Sequence, residues 1–204
     1  MHWASNYYCL YSIFLEIILD FYLDVPYNLY ILYQGDSVNN IGYACINMDL
    51  SEQPKSKRVT TNRSMIKRTF QEKGVAYASE LALANCRDLL TILKWNEAHG
   101  FRFFRLSSDL FPWASEYKLS DLPDFDEICD ALQEAGDFVE DHGHRITAHP
   151  GPFNKLTSPN EKVIQNTIRD LEIHGEVFDM LGLSRTPYNK LNIHVGAHYN
   201  DKPM

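Results

Sequence analysis

The chain has no excess of positive charge. Among its 204 residues, 19 are Lys or Arg and 27 are Asp or Glu, which gives a formal net charge of −8 at pH 7. A protein that holds nucleic acid through its overall charge usually carries the opposite balance, so binding of that kind is disfavoured. A local basic patch, or bound divalent cations, would still reverse the sign of the potential at one site. Net charge therefore argues against a nucleic-acid partner without excluding one.

Cysteine is scarce and dispersed. The four cysteines are Cys9, Cys45, Cys86 and Cys129, and no two of them form a C-x-x-C pair. A zinc site built from cysteines is therefore not expected. Two of the four, Cys86 and Cys129, fall on apolar helix faces, which predicts buried free thiols in a reducing compartment.

Long uninterrupted apolar runs are missing as well. Residues 1–40 are rich in Tyr, Leu and Ile, but Glu16, Asp20 and Asp24 interrupt them. A transmembrane helix needs about 20 mainly apolar residues, and a signal peptide needs a basic start and a small-residue cleavage site. We expect neither feature and no membrane partner. Residues 1–40 are interpreted as an aromatic-rich extension of unknown role, separate from a domain over residues 41–204.

From residue 41 onwards, short apolar strands alternate with amphipathic helices, which indicates an α/β fold with a parallel sheet. The predicted strands lie at 41–47, 101–107, 145–149 and 190–196, and the predicted helices at 77–100, 123–143 and 158–182. Residues 51–74 read as a long polar connection, with seven Lys or Arg against two Glu.

Capping residues place the starts of the later helices. Asp124 is predicted to cap the second helix, with Glu127 as its capping-box partner. In the third helix, Ser158 is the predicted cap, Pro159 the first helical residue and Glu161 the box partner.

No G-x-G-x-x-G or Walker motif follows any strand, which weakens a nucleotide-binding, doubly wound interpretation. Instead, polar residues follow the predicted strands: Asn47, Asp109, His149 and His194. In a TIM (β/α)8 barrel the functional residues lie at the C-terminal ends of strands. The pattern therefore favours a barrel. Because about four βα units are present, we expect a truncated barrel that holds the first half only.

The strand-end histidines invite two interpretations. Imidazole nitrogen is a good ligand for zinc, manganese or iron, so His149 and His194 are candidate metal ligands. The alternative is that each bonds backbone at a turn. Asp109 either binds metal or caps its turn. Five further histidines are assigned to helix-end carbonyls (His99, His142, His144), to a loop (His198) and to the surface (His174).

Other residues suggest contact with nucleic acid. Tyr43 and Asn47 would line the barrel mouth, although a buried tyrosine bonded to backbone is an alternative for Tyr43. Pro152 and Phe153 follow the histidine turn, where an exposed aromatic would stack on bases or pack under the loop. The basic clusters of the 51–74 connection would either contact phosphates or form a solvated face.

Five motifs taken together resemble the ultraviolet-damage endonuclease family, in that family's order and spacing. They are IGYACIN, TTNRS, NCRDLLTILKWNEAHGFRFFRLSSDLFPWAS, ITAHPG and NIHVGAHYNDK. The resemblance covers about residues 41–204. It implies a metal-dependent barrel, similar to endonuclease IV and the xylose isomerases, that cuts DNA immediately 5′ of ultraviolet photoproducts and abasic sites. Divalent metal ions, chiefly Mn²⁺, would activate water, and double-stranded DNA with ultraviolet lesions would be the partner.

The resemblance also implies roles for individual residues. It makes His149 and His194 metal ligands and leaves Asp109 as a candidate, since some members carry histidine there. It implies that Tyr43 and Asn47 face DNA, and that Asn62 and Arg63 of the TTNRS motif contact it. Pro152 and Phe153 match the lesion-probing loop, where the family usually has Gln before an aromatic. No catalytic residue is assigned.

The ligands that the family takes from later strands are not in the sequence. We therefore expect low or no nuclease activity unless a second polypeptide completes the barrel. The alternatives are a non-catalytic fragment and a related barrel enzyme such as a sugar isomerase. A DNA substrate implies an intracellular location, in the nucleus or another DNA-containing compartment.

Overall fold

A computed structural model describes residues 41–151 and 154–193, which form one parallel sheet with helices packed against it. The strands are β1 (Gly42–Ala44), β2 (Phe103–Leu106), β3 (Arg145–Ala148) and β4 (Lys190–Leu191). The helices are α1 (Met48–Ser51), α2 (Lys67–Ala98), α3 (Phe125–Asp141) and α4 (Glu161–Met180).

The strands lie side by side in chain order, β1-β2-β3-β4, and every neighbouring pair is parallel. A doubly wound sheet reverses its direction of winding at a switch point, whereas a barrel adds each new strand on the same side. Over the described residues, the order is therefore the barrel type. The predicted alternation of strands and helices is confirmed.

The strand register separates the two faces of the sheet. Tyr43, Phe104 and Ile146 are register partners and share one face. Phe104 and Ile146 are completely or almost completely buried, and Tyr43 bonds to Asn96 of α2, so this face carries the helices. Because side chains alternate along a strand, the row that contains Arg105 and its register partners faces the opposite side.

The hydrophobic core lies between the sheet and the helices. Its members are spaced at helical intervals along α2 and α3, as an amphipathic helix requires. The fully buried members are Ala78, Ala82, Cys86, Ile92, Leu93, Phe104, Ile128, Leu132 and Ala135. The buried thiol expected at Cys86 is confirmed, and Cys129 is half-buried.

The start of the first long helix was placed wrongly from the sequence. Helix α2 begins at Lys67, ten residues before the predicted start, so the polar connection ends at Ile66. Gly74 interrupts the helix with a φ of 67°. Glycine adopts this left-handed conformation without steric cost, and in the sequence it looks like the end of a loop.

The capping predictions also need correction. Asp124 does precede α3, but its carboxylate accepts a hydrogen bond from Ser79 Oγ (2.7 Å) rather than capping the helix. Helix α4 begins at Glu161, and its cap is Asn160, whose side chain accepts from the backbone of Lys162 (3.0 Å). The predicted cap, Ser158, instead accepts from the backbone of Asn160 (3.2 Å).

Two of the helix-end histidines are confirmed. Nδ1 of His99 lies 2.7 Å from the carbonyl of Trp95, and Nδ1 of His142 lies 2.9 Å from the carbonyl of Phe138. Each ring thus bonds within the last turn of its helix, where backbone carbonyls lack helical partners.

Two other histidines were misjudged. His144 is 2% exposed, and its Nε2 lies 2.8 Å from Oε2 of Glu97, so it pairs with a carboxylate rather than with carbonyls. His174, predicted at the surface, is 8% exposed, with Nδ1 2.7 Å from the carbonyl of Asp170. In both cases tertiary packing buries a ring that local sequence leaves ambiguous.

Searched over the described residues, the structure has no helix that is long and apolar enough to cross a membrane. The predictions for residues 1–40, for Cys9 and for His198 lie outside the described residues.

Candidate active-site face

Three loops follow the C-terminal ends of the strands and therefore lie at the same end of the parallel sheet. Loop 1 (residues 45–66) joins β1 to α2 and contains α1, and loop 2 (residues 107–124) joins β2 to α3. Loop 3, described at residues 149–151 and 154–160, lies between β3 and α4. In barrel enzymes the functional loops lie at the C-terminal ends of the parallel strands. We call this end of the sheet, with its three loops, the strand-end face.

Tyr43 and Asn47 form one hydrogen-bonded group at the end of β1. The Tyr43 hydroxyl donates to Oδ1 of Asn96 and accepts from Nδ2 of Asn47, the latter at 2.7 Å. Burial raises the pKa of Tyr43, more than its two amide neighbours lower it, so the hydroxyl keeps its proton near neutral pH. Oδ1 of Asn47 accepts from the backbone of Leu50 (3.0 Å) and thereby caps α1. The pair that was predicted to face DNA thus fixes where loop 1 begins.

In loop 1 and in loop 2, one residue each has a backbone conformation with a positive φ, which is unusual for a residue other than glycine. Among the described residues, Cys45 (φ 64°) and Trp113 (φ 59°) are the two non-glycine residues with a positive φ. Cys45 is held by its own N–H, which donates to the carbonyl of Arg105 (2.8 Å), and by Thr61, whose hydroxyl donates to its carbonyl (3.3 Å). Such conformations persist only where surrounding contacts enforce them, and they are concentrated at functional sites.

Arg63 is directed into the protein. Its guanidinium forms an ion pair with Asp88 of α2 (2.6 Å) and donates to the carbonyls of Thr60 (2.6 Å) and Arg58 (2.9 Å). The same Asp88 carboxylate accepts from the backbone of Thr60 (2.9 Å). In this arrangement Arg63 anchors loop 1 to α2, and its predicted contact with DNA stays a prediction.

Asn85, fully buried on α2, joins loop 1 to loop 2. Its Oδ1 accepts from the backbone of Arg63 (3.0 Å), and its Nδ2 donates to the carbonyls of Arg63 (3.1 Å) and Leu110 (3.1 Å). The carbonyl of Asp109 lies at 3.4 Å from the same nitrogen. One amide therefore connects the backbones at two predicted site residues, Arg63 and Asp109.

A second link between the same loops comes from Trp113. Its indole N–H donates to the carbonyl of Met65 (2.9 Å), and its ring stacks on Phe70, with the ring centroids 5.7 Å apart. Together with Asn85, this contact makes loops 1 and 2 one continuous surface.

The candidate metal ligands that the structure describes, Asp109 and His149, are not part of a ligand cluster. Asp109 is exposed in loop 2, and His149 is half-buried directly after β3. Across residues 41–151 and 154–193, no three His, Cys, Asp or Glu side chains are grouped so that they could hold a metal ion. His194 lies outside the described residues, so the residues described here do not by themselves fit the metal site that the resemblance implies.

The other predicted contacts are only partly described. Asn62 lies in loop 1, where its N–H donates to Thr60 Oγ1 (3.2 Å). Oδ1 of Asn62 is buried and has no hydrogen-bond partner among the described residues. Pro152 and Phe153 lie outside the described residues.

Asn85 and Asp88 were not singled out from the sequence. Asn85 directly precedes Cys86, one of the apolar positions that define the helix, and the pattern gives no reason to expect a buried amide there. The one available signal is an asparagine inside a helix, where its intrinsic propensity is poor. If such an asparagine is buried, its amide is expected to bond to nearby backbone groups, since a buried amide must be hydrogen-bonded.

The chain is similar in sequence to UV-damage endonucleases of several organisms. The chain is 43% identical over 137 residues to a UV-damage endonuclease of Neurospora crassa, covering 64% of this chain and 20% of that protein. It is 35% identical over 165 residues to a UV-damage endonuclease of Schizosaccharomyces pombe, covering 79% and 27% of the two chains. A UV DNA damage endonuclease of Clostridium perfringens is 30% identical over 165 residues, with 80% and 37% covered. The chain thus spans less than half the length of each of these relatives.

The crystal structure of SacUVDE is also similar, with a TM-score of 0.62 and 30% sequence identity over 76% of this chain and 48% of that one. This likeness confirms the prediction of a TIM-barrel type of α/β fold. The family model for the UV-endonuclease UvdE matches residues 39–204. The motifs, the strand order and these matches agree, and the chain belongs to the UV-endonuclease UvdE family.

Proposed function

We propose that the chain carries part of a DNA repair endonuclease that acts on ultraviolet-damaged double-stranded DNA. The observation that carries the proposal is the family match over residues 39–204, which includes all three loops of the strand-end face. The relatives are named UV-damage endonucleases. The barrel-type strand order supports the proposal, because such a fold carries its functional loops at the C-terminal ends of its strands.

The proposed reaction is hydrolysis of the phosphodiester bond immediately 5′ of the lesion, assisted by divalent metal ions, with Mn²⁺ as the expected ion. His149, His194 and Asp109 are the proposed ligands. A bound divalent ion would supply hydroxide near neutral pH and stabilise charge on the phosphate. Because the described residues do not gather a ligand cluster, we assign no step of the reaction to a particular side chain.

The proposal includes an incomplete site. Two imidazoles and one carboxylate are few ligands and little negative charge for several cations, so a second polypeptide would complete the barrel and the ligand set. The proposed location is a compartment that contains DNA.

Nicking of supercoiled plasmid tests the function. The purified 204-residue chain is incubated with Mn²⁺ and irradiated plasmid, beside unirradiated plasmid and a chelator control. The full-length Schizosaccharomyces pombe relative is assayed in parallel. We expect slow nicking that requires both irradiation and metal, at a rate below that of the full-length relative. His149→Ala should abolish it, and the matched control His99→Ala, at the opposite end of the sheet, should not.

Equal rates on the two plasmids would overturn the assignment of a damage-dependent activity to the chain. No nicking at all would overturn only the activity of the chain by itself. A rate equal to that of the full-length relative would instead overturn the proposed incomplete site. Retained activity in His149→Ala would remove that residue from the ligand set.

A further inference from the structure

A short closed segment projects from loop 1. The backbone N–H of Val59 donates to the carbonyl of Leu50 (3.2 Å), which brings the two ends of the segment together. Inside it, the N–H of Lys57 donates to the carbonyl of Pro54 (2.7 Å) and forms a turn. All residues from 52 to 58 are exposed. We call residues 52–58 the basic loop.

The basic loop carries three exposed cations, Lys55, Lys57 and Arg58, within four positions. Only one acidic residue, Glu52, accompanies them. The whole chain has a net charge of −8, so this segment has the opposite sign to the molecule that bears it. Such a local reversal favours a polyanionic ligand, because a locally positive surface attracts anions even on a molecule whose net charge is negative.

Three of the four other cations between residues 59 and 74 have partners within the protein. Arg63 is paired with Asp88 (2.6 Å), Nζ of Lys73 lies 3.9 Å from the ring centroid of Tyr77, and Arg68 lies 3.7 Å from the Glu72 carboxylate. The first of these contacts is part of the loop's own scaffold. The three cations of the basic loop, together with the exposed Lys67 in the first turn of α2, are therefore the ones that face solvent.

The root of the basic loop is fixed. The Arg63 guanidinium donates to the carbonyl of Arg58 (2.9 Å) while it pairs with Asp88 of α2. The loop is thus tied to the longest helix at the residue where its cations end. A loop that is ordered before binding loses less conformational entropy when it meets a ligand.

We propose that the basic loop is a docking surface for the phosphate backbone of duplex DNA, with Lys55, Lys57 and Arg58 as the contacting residues. The inference rests on the proposed function and adds a contact surface to it. The loop follows α1 on the strand-end face, so it would hold DNA beside the mouth of the barrel. Arg63 acts on this surface as a positioning residue.

The salt dependence of binding tests the proposal, because each phosphate contact releases counterions. Fluorescence anisotropy measures binding of an unirradiated, labelled duplex by the full chain, without metal, over a range of salt concentrations. We expect Lys55→Gln/Lys57→Gln to weaken binding at low salt. The slope of log K against log salt should become shallower by about 1 for each lost contact.

The matched control is Arg87→Gln/Lys94→Gln, which removes two exposed cations from α2 and the same total charge. It should leave the slope unchanged, and equal thermal unfolding of all three proteins would show that the fold is intact. Equal slopes for the two double variants, or no binding by the unaltered chain, would overturn the docking surface. Damage-dependent nicking with equal slopes would overturn this inference alone, whereas duplex binding with the expected slopes but no nicking would overturn the proposed activity alone.

Discussion

At the scale of single residues, buried polar side chains fix the loops of the strand-end face. Asn85 is fully buried, yet its amide bonds only to backbone groups of loops 1 and 2. Backbone groups in irregular loops have no ladder partners, so a side chain must satisfy those that are buried. Asn85 thus satisfies backbone groups of two loops, as a capping side chain satisfies backbone groups at the end of a helix.

Asn85→Leu should lower the free energy of unfolding by roughly 2–4 kcal/mol, because it leaves the N–H of Arg63 and the carbonyl of Leu110 buried without partners. Urea denaturation measures the change, and hydrogen exchange at the Arg63 amide should become faster. The exposed neighbour Arg87, changed to Ala, is the control and should shift stability by less than about 0.5 kcal/mol. A loss for Asn85→Leu as small as that of the control would contradict the role given to the amide.

The sequence predicted local partners of residues better than distant ones. His99 and His142 bond to carbonyls four residues earlier, so helix-end position alone was enough to place them. His144 bonds to Glu97, 47 positions away, and no local pattern could reveal that contact. The same limit hid Asn85, whose partners lie 22 to 25 positions away in the chain.

At the scale of elements, α3 and α4 approach each other closely where Gly136 faces the end of α4. A Cβ atom at Gly136 would lie 1.8 Å from the carbonyl oxygen of Leu181, far inside the contact distance. That oxygen belongs to backbone, which cannot swing aside as a side chain could. The absence of a side chain at this position therefore sets the separation of the two helix segments.

Gly136→Ala should destabilise the protein by roughly 1–3 kcal/mol, since the strain of overpacking outweighs the better helix propensity of alanine. Comparison of urea midpoints with the unaltered chain measures the effect. Glu134→Ala, at an exposed site of the same helix, keeps the propensity change small and adds no contact. If Gly136→Ala raises the midpoint, the two helices do not pack as described.

Periodicity predicted which elements exist, because burial of one helix face repeats regularly along the chain. It placed α3 well, since the apolar residues Ile128, Leu132, Ala135 and Val139, which recur at helical spacing, are all buried. It failed at the start of α2, where a charged first turn and Gly74 resemble a loop although the backbone is helical on both sides. The candidate site was predictable as a set of strand-end loops, whereas its internal bonds required the tertiary structure.

At the scale of the whole molecule, an ion-pair group ties the sheet to α2 at the end opposite to the strand-end face. Oε1 of Glu97 accepts from Arg102 (2.8 Å), and its Oε2 lies 2.8 Å from Nε2 of His144. His144 stands immediately before β3, so the group joins the C-terminal end of α2 to the start of a central strand. Burial lowers the pKa of His144, although the Glu97 carboxylate opposes that shift.

Stability should therefore decrease in mild acid. A histidine whose pKa is lowered by folding contributes stability that is fully present above its unfolded pKa of about 6.5 and is lost as the pH falls below that value. The hydrogen bond from His144 lowers the pKa of Glu97, and this contribution is likewise lost in acid, at still lower pH. Urea unfolding between pH 8 and 5 should show a decreasing free energy of unfolding.

His144→Gln provides the comparison, because a neutral amide can still donate to Glu97 but cannot take up a proton. The variant should show a flatter dependence of stability on pH between 7 and 5 than the unaltered chain. His99→Gln, which alters an exposed ring, should retain the original dependence. An unchanged slope in His144→Gln would show that another group controls the acid response.

The bonds of Asn85 and Trp113 have a consequence for how this protein can vary. Loops 1 and 2 are separated in the chain by α2 and β2, yet Asn85 and Trp113 connect them to each other. If loop 1 alone were replaced by the loop of a relative, it would no longer be matched to loop 2, and the hydrogen bonds that connect the two loops would be at risk. In a chimera with a relative, the segment to exchange as a whole is therefore the one from the end of β1 to the start of α3, which contains both loops, α2 and β2.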